Sequence, residues 1–305
     1  MRSPIITDAP TSPPEAAAAE PAPADATAAA SVPHTIIIEP PRGWQGIDMA
    51  ELWRYRELLF FLTWRDVKVR YKQTVLGAAW AVLQPAMMMV VFTIFFGRLA
   101  NVSSGDVWYP LFALCGLLPW FFFSTALTNA ANSVVGSERL ITKIYFPRLA
   151  VPVAAVAAAA VDFVVACSLL AVLVAFQGVW PGWQILLAPV VFVIVALFAA
   201  GLGALLAALN VAYRDFRYVV PFLIQVGMFA TPTIYLQPSG NEGTMVKLLL
   251  ALNPLTSLVS AFRASVLGGP IHWSGLGVAL LASLALLVMG SLYFRRIEDR
   301  FADII

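Results

Sequence analysis

The stretch from Thr74 to Gly97, TVLGAAWAVLQPAMMMVVFTIFFG, carries no charge over 24 residues. At about 1.5 Å per residue this is long enough to cross a hydrocarbon core of about 30 Å as a helix. It is entered from a segment of opposite character, LLFFLTWRDVKVRYKQT, which is basic and aromatic. A cationic helix feeding a long apolar one implies a chain built around a membrane. Composition supports this: 60% of the 305 residues are hydrophobic and 12% charged, against roughly 45–50% and 25% in soluble domains. There is too little charge to coat a soluble core of this size. The apolar runs are continuous rather than alternating, so the fold class is all-α integral membrane and not a β-barrel.

Taken in order, residues 1–40 are rich in Ala and Pro without a periodic apolar face. They predict a disordered tail, and with Arg2 the only early base and no compact apolar core after it, the segment does not read as a signal peptide. Residues 41–73 predict an amphipathic helix lying in the interface. Leu52, Tyr55, Leu58, Leu59, Leu62 and Val69 recur at helical spacing among Arg54, Arg56, Arg65, Lys68, Arg70 and Lys72. Residues 74–297 then predict six spans, at about 75–97, 109–132, 150–176, 184–209, 219–236 and 274–294. Pro85 is expected to kink the first. The small-residue run GLGALLAAL is expected to permit close packing of the fourth. The loop at 237–272 predicts one or two short helices dipping into the outer leaflet, and 298–305 a short tail. Sixteen of the 19 Lys and Arg residues fall on one side of this arrangement. The tally predicts both termini in the cytoplasm.

Little in the sequence suggests bond-breaking chemistry. There is no Gly-rich phosphate loop ending in Lys-Ser/Thr, so ATP hydrolysis is not expected of this chain. His34 and His272 are far apart, and Cys115 and Cys167 sit singly in apolar runs, which argues against a metal site. Asp162 is the one acid deep in a span. It is a proton-coupling residue by default, but no second ionisable group is evident in its layer. Two charged loops on the predicted cytoplasmic side remain. Ser137–Tyr145 combines a Ser-Glu start, charge and an apolar face, as a short docking helix would; NVAYRDFRY follows the fourth span. Aromatic residues gather near the outer ends of the first two spans: Phe92, Phe95, Phe96, Trp108, Tyr109, Trp120, Phe121, Phe122 and Phe123. Aromatic faces pack against the C–H faces of sugars and leave the hydroxyls free, so a sugar chain could slide past them.

Over residues 50–300 the chain resembles the transmembrane subunits of ABC-2 type exporters of the polysaccharide branch, which covers O-antigen, teichoic acid and capsule. The resemblance rests on FLTWRDVKVRYKQTVLG, Trp80, the Leu83-Gln84-Pro85 triplet, LITKIYFPR, the Asn210…YRDFRY loop and Asn253-Pro254. It implies a type V exporter fold with an interfacial helix and short periplasmic re-entrant helices at 243–267. It implies an inner-membrane homodimer over two copies of a separate P-loop ATPase subunit, which uses ATP and Mg²⁺; this chain would hold no cofactor. The cargo it implies is an undecaprenyl-diphosphate-linked polysaccharide, with O-antigen favoured by the Ala- and Gly-rich composition. Arg54, Arg56, Arg65, Lys68, Arg70 and Lys72 would meet the diphosphate, and Gln73 and Gly77 would line the cytoplasmic gate. Trp80 would join the aromatics named above along a channel between protomers. Glu138, Arg139, Ile141, Lys143 and Tyr145 would seat a coupling helix in the ATPase, with Arg214 and Asp215 as a lesser contact. The alternatives are export of capsule, teichoic acid or another lipid-linked or hydrophobic cargo, and a proton-coupled transporter working through Asp162.

Overall fold

The structure is a computed structural model that describes residues 53–72, 74, 77–100, 102, 105, 107–144, 146–235, 250, 252–298 and 301. The expected tail at 1–40, Gln73, Tyr145 and most of the segment between 236 and 251 lie outside the described residues. The described residues form helices joined by turns: α1 (Arg56–Lys72), α2 (Ala79–Phe92), α3 (Tyr109–Gly136), α4 (Glu138–Ile141), α5 (Ala150–Phe176), α6 (Ala188–Ala212), α7 (Phe216–Ala230), α8 (Pro254–Leu267) and α9 (Trp273–Glu298). A π-type stretch, Thr93–Leu99, extends α2, and a 3₁₀ turn, Trp183–Leu187, precedes α6. Five helical stretches are long and apolar enough to cross a membrane: Ala79–Leu99, Tyr109–Gly136, Ala150–Phe176, Trp183–Ala212 and Trp273–Glu298. They match five of the six expected spans within a few residues.

The expected fifth span differs. Its helix, α7, has 15 residues, about 22 Å at the helical rise and short of a 30 Å core. It ends where Thr231 turns extended and Pro232 follows, since proline cannot continue the hydrogen-bond ladder. Pro85 likewise lies inside α2, but the helix runs through it, and the irregular turn comes later, at Thr93–Leu99. In the outer loop the described helix is α8. Asn253 caps it by accepting from the Leu255 N–H at 3.1 Å, Pro254 occupies its first turn, and Gly268 closes it with a φ of 78°.

α3 runs through the middle of the fold, packed on α5, α6, α8 and α2. α6 and α9 cross at backbone contact. A methyl group on Gly201 would overlap the backbone at Leu286–Leu287, and one on Gly290 would overlap the Gly201 carbonyl. The small-residue run therefore packs as its composition predicts. A buried arginine fixes α7 to the rest. Arg263 of α8 is 8% exposed and donates to the carbonyls of Thr233 at 2.7 Å and Pro232 at 3.3 Å. Its guanidinium lies 3.9 Å from the centre of the Phe112 ring. It thus satisfies carbonyls that the broken helix leaves without partners.

α1 packs beside α5. It climbs beside α5 in register: Leu62 packs in one cluster with Ala150, Val151 and Ala154, Arg65 and Asp66 share a cavity with Ala155 and Ala158, and Arg70 and Tyr71 meet Asp162. Asp162 is about 18 Å along α5 from its first residue, so α1 reaches that far along α5. Its apolar residues also surround it. Leu62 and Val67 face inward, while Phe60, Phe61, Trp64 and Val69 are exposed.

Candidate functional site: two cavities and a charged groove

Three concave sites draw on residues that the sequence singled out. The first is a polar vestibule of about 560 Å³ between α1, α3 and the start of α5, lined by Arg65, Asp66, Arg70, Thr128, Asn129, Asn132 and Ser133 among others. Beyond it is an aromatic chamber of about 390 Å³, walled by Trp80, Phe121, Phe122 and Phe163, with Thr74, Gln84, Thr125 and Asn129 as polar points. Gly77 opens onto this chamber at the turn from α1 to α2, where its φ of 47° suits glycine. Arg70 and Asn129 line both spaces.

At that boundary the Arg70 guanidinium pairs with the Asp162 carboxylate, and the Tyr71 hydroxyl donates to the other carboxylate oxygen. The ion pair makes it possible for a basic helix end to sit beside apolar spans. This corrects the reading of Asp162 as an acid without an ionisable partner. The partner sits 92 positions earlier in the chain, on a helix expected to lie at the surface.

The other expected entry residues spread out. Arg65 pairs with its neighbour Asp66 at 2.9 Å. Lys68 lies 5.9 Å from the Trp64 ring centre and Arg56 the same distance from Trp53. Arg54, Arg56, Lys68 and Lys72 are exposed; Arg65 and Arg70 are half-buried.

The ten expected channel aromatics divide. Trp80, Phe95 and Trp108 are exposed; Phe96 and Phe121 are half-buried, the latter facing the chamber. Phe92, Tyr109, Trp120, Phe122 and Phe123 are buried within the single chain. Those five pack against other residues of the same chain. Phe122 lies 4.7 Å from Phe192 between ring centres, Phe123 5.4 Å from Phe198, and the Tyr109 hydroxyl donates to the Ile234 carbonyl at 2.8 Å. Phe163 stacks on Phe192 at 4.4 Å and separates the chamber from an apolar cavity of about 600 Å³ between α5, α6 and α8.

The third site is a charged groove of about 360 Å³ lined by Val135, Glu138, Asn210, Val211, Arg214, Arg217 and Tyr218. Here the two loops singled out from the sequence meet. Glu138, Arg139, Lys143, Arg214 and Asp215 are exposed. Ile141 is not: it is 5% exposed and packs with Leu62, Phe146, Leu149, Phe294 and Phe301. Ile141 is thus an anchor beneath the loop rather than a docking contact. Ser137 makes no capping bond to α4, a single turn; Arg148 secures the loop by donating to the Glu298 carbonyl at the end of α9. Asn210 ties the groove to α3, donating to the Ala131 carbonyl at 2.9 Å and to Asn132 Oδ1 at 3.1 Å. Sequence reasoning named Asn210 only as the start of the NVAYRDFRY loop and did not single out Asn129 or Arg263; a polar residue in an apolar run was the available signal for both.

Among the described residues no group of three or more His, Cys, Asp or Glu side chains gathers to hold a metal. The chamber offers a cation, amides and hydroxyls between aromatic walls, which suits binding of an anionic polar molecule.

Comparison with known proteins shows where similar chains occur. A family described as "ABC-2 type transporter" matches residues 57–267. An O-antigen export system permease protein of Myxococcus xanthus is 34% identical over 254 residues, covering 83% of this chain and 97% of that one. One from Klebsiella pneumoniae with the same designation is 26% identical, covering 82% and 95%. A polysialic acid transport protein of Escherichia coli is 22% identical, covering 77% and 91%.

Proposed function

This chain belongs to the ABC-2 type transporter family, and we propose that it is the membrane permease of an ATP-driven exporter of lipid-linked polysaccharide, with O-antigen as the cargo. Two copies form the pathway, and two copies of a separate P-loop ATPase dock beneath them. The observation that carries this reading is the charged groove. Glu138 and Arg214, 76 positions apart, converge there with Arg217 in one exposed concavity. Loops that only joined spans would have no reason to build a shared recess of both charges; a soluble partner that must be gripped would. The near full-length match to O-antigen export permeases supports the cargo.

The groove rests on a core that reaches the entry helix. Ile141 below α4 and Leu62 of α1 share one buried cluster with Phe294 and Phe301. A push delivered at α4 by ATP binding is transmitted through that packed cluster to α1, and so to the vestibule. With α7 and the 231–235 segment as a sixth crossing, both termini fall on the side of the basic loops, in agreement with the distribution of Lys and Arg. The cargo then enters from the cytoplasm as an undecaprenyl-diphosphate-linked glycan and leaves toward the periplasm. The Arg70–Asp162 pair weighs against a proton-coupled mechanism, since the one acid deep in a span is already committed to an ion pair.

The test is co-expression with an ATPase encoded beside this chain, followed by measurement of complex mass and of hydrolysis with and without lipid-linked glycan. A complex of two permeases and two ATPases whose hydrolysis responds to glycan is the expected result. A chain that purifies with no ATPase, or a complex indifferent to glycan, overturns the class or the cargo respectively.

A further inference from the structure

We propose that Asp162 is an internal stand-in for phosphate: it holds Arg70 across the passage between vestibule and chamber until the phosphate group of an entering amphiphile takes its place. This deepens the reading of the chain as an exporter of lipid-linked glycan and rests on it for the identity of the natural ligand.

The argument starts from position. Arg70 and Asn129 are the two polar residues that line both cavities. A molecule that moves from the vestibule into the chamber passes them. Arg70 is held there by Asp162 from the opposite helix, α5. The pair bridges α1 and α5 beside the lining that the two cavities share.

The chemistry of the boundary fits exchange rather than a permanent tie. The Asn129 side-chain nitrogen is buried and has no hydrogen-bond acceptor. An unpaired buried donor is costly, and this one belongs to a residue that lines both cavities together with Arg70. A phosphate oxygen would satisfy it; the carboxylate of Asp162 does not. A guanidinium binds carboxylate and phosphate through the same two-pronged geometry, and phosphate brings more charge and more acceptor oxygens. Asp162 does not lose all its partners when Arg70 leaves, because the Tyr71 hydroxyl donates to its other oxygen. Tyr71 therefore lowers the cost of opening.

The side-chain exposures are also those of a group that moves. Arg70 is 33% and Asp162 20% exposed, whereas Arg263, the structural arginine, is 8% exposed and clamped by backbone carbonyls and a ring.

The experiment compares farnesyl diphosphate with farnesol as probes, bound to the full-length chain in nanodiscs and read by tryptophan fluorescence from Trp80 in the chamber wall. Asp162→Asn frees Arg70 and is expected to tighten diphosphate binding by roughly tenfold, the worth of one charge-assisted hydrogen bond, and to leave farnesol unchanged. Arg70→Gln is expected to abolish the preference for diphosphate over alcohol. Tyr71→Phe removes the donor that Asp162 keeps and is expected to weaken diphosphate binding by about threefold. It supplies the test with opposite sign should Asp162→Asn not assemble. Unchanged or weaker diphosphate binding in Asp162→Asn, or tighter binding in Tyr71→Phe, overturns the exchange. A preference for diphosphate that survives Arg70→Gln overturns the site itself. These outcomes are independent of the ATPase assay. If the probes behave as expected while the complex ignores glycan, the exchange stands and the glycan reading falls.

Discussion

The first two long helices are near equals in apolar character and opposites in burial. Ala79–Leu99 has a mean hydropathy of 1.9 and 11% of its most apolar window buried; Tyr109–Gly136 has 1.7 and 78%. The slightly less apolar helix is the core. In water, burial and apolarity go together. In a bilayer they separate, because lipid tails are as apolar as leucine and do not drive helices together. What buries α3 is shape and polar matching. Gly116 admits the Thr233 carbonyl and the Arg263 guanidinium, Ala130 admits Gly203 of α6, and the carbonyl of Ala131 meets Asn210. α2 offers Trp80, Leu83, Met87, Val90, Val91, Ile94 and Phe95 to its surroundings, a surface equally suited to lipid or to a second copy.

The contrast is open to attack. The largest effect is expected at Gly116→Leu, which drives a side chain into the Thr233 carbonyl and displaces a buried guanidinium. A loss of about 5 kcal/mol, from overpacking and a stranded charge, removes the folded protein from size-exclusion profiles. Next is Phe122→Ala in α3, expected to cost about 3–5 kcal/mol, read as a fall in melting temperature in detergent. Asn210→Leu follows at about 1 kcal/mol, in keeping with interhelical hydrogen bonds in membranes. Phe95→Ala on α2 is expected to stay within about 0.5 kcal/mol; a loss matching that of Phe122→Ala would break the comparison. A last test leaves stability alone. With Cys115 and Cys167 replaced by alanine, a cysteine at Val90 crosslinks two copies in native membranes if the α2 face is where protomers meet. One at Leu114, which is 0% exposed, does not.

Long-range order in the sequence was legible where one physical variable dominates. Uninterrupted apolar runs placed five helices to within a few residues, since a bilayer imposes a minimum length on anything that crosses it. The Asn253-Pro254 pair and Gly268 mark the ends of α8 because caps are local chemistry. The Gly201 run predicted close packing for the same reason. Charge placement separated the two loops that the fold unites in a groove.

The candidate site was harder to see. Phe121 and Phe122 are adjacent and both border the chamber, yet one is half-buried while the other is 3% exposed and packs on Phe163 and Phe192. Four aromatics in a row cover a whole helix turn, so composition cannot choose among them. Ile141 carries the apolar face of a docking helix, yet that face points down, where Leu62 and Phe301 complete its cluster.

The sequence by itself determined that this chain is a helical membrane protein, where most of its helices run, and which family it resembles. These follow from hydrophobic length, charge distribution and local capping, each written in neighbouring residues. Tertiary structure alone decided that α1 runs alongside α5, that α3 rather than α2 is the core, and that Arg70 answers Asp162. Those outcomes depend on residues about 90 positions apart meeting at one depth. Apolar surfaces that lipid and protein satisfy equally well leave that meeting to shape and to the pairing of buried charge.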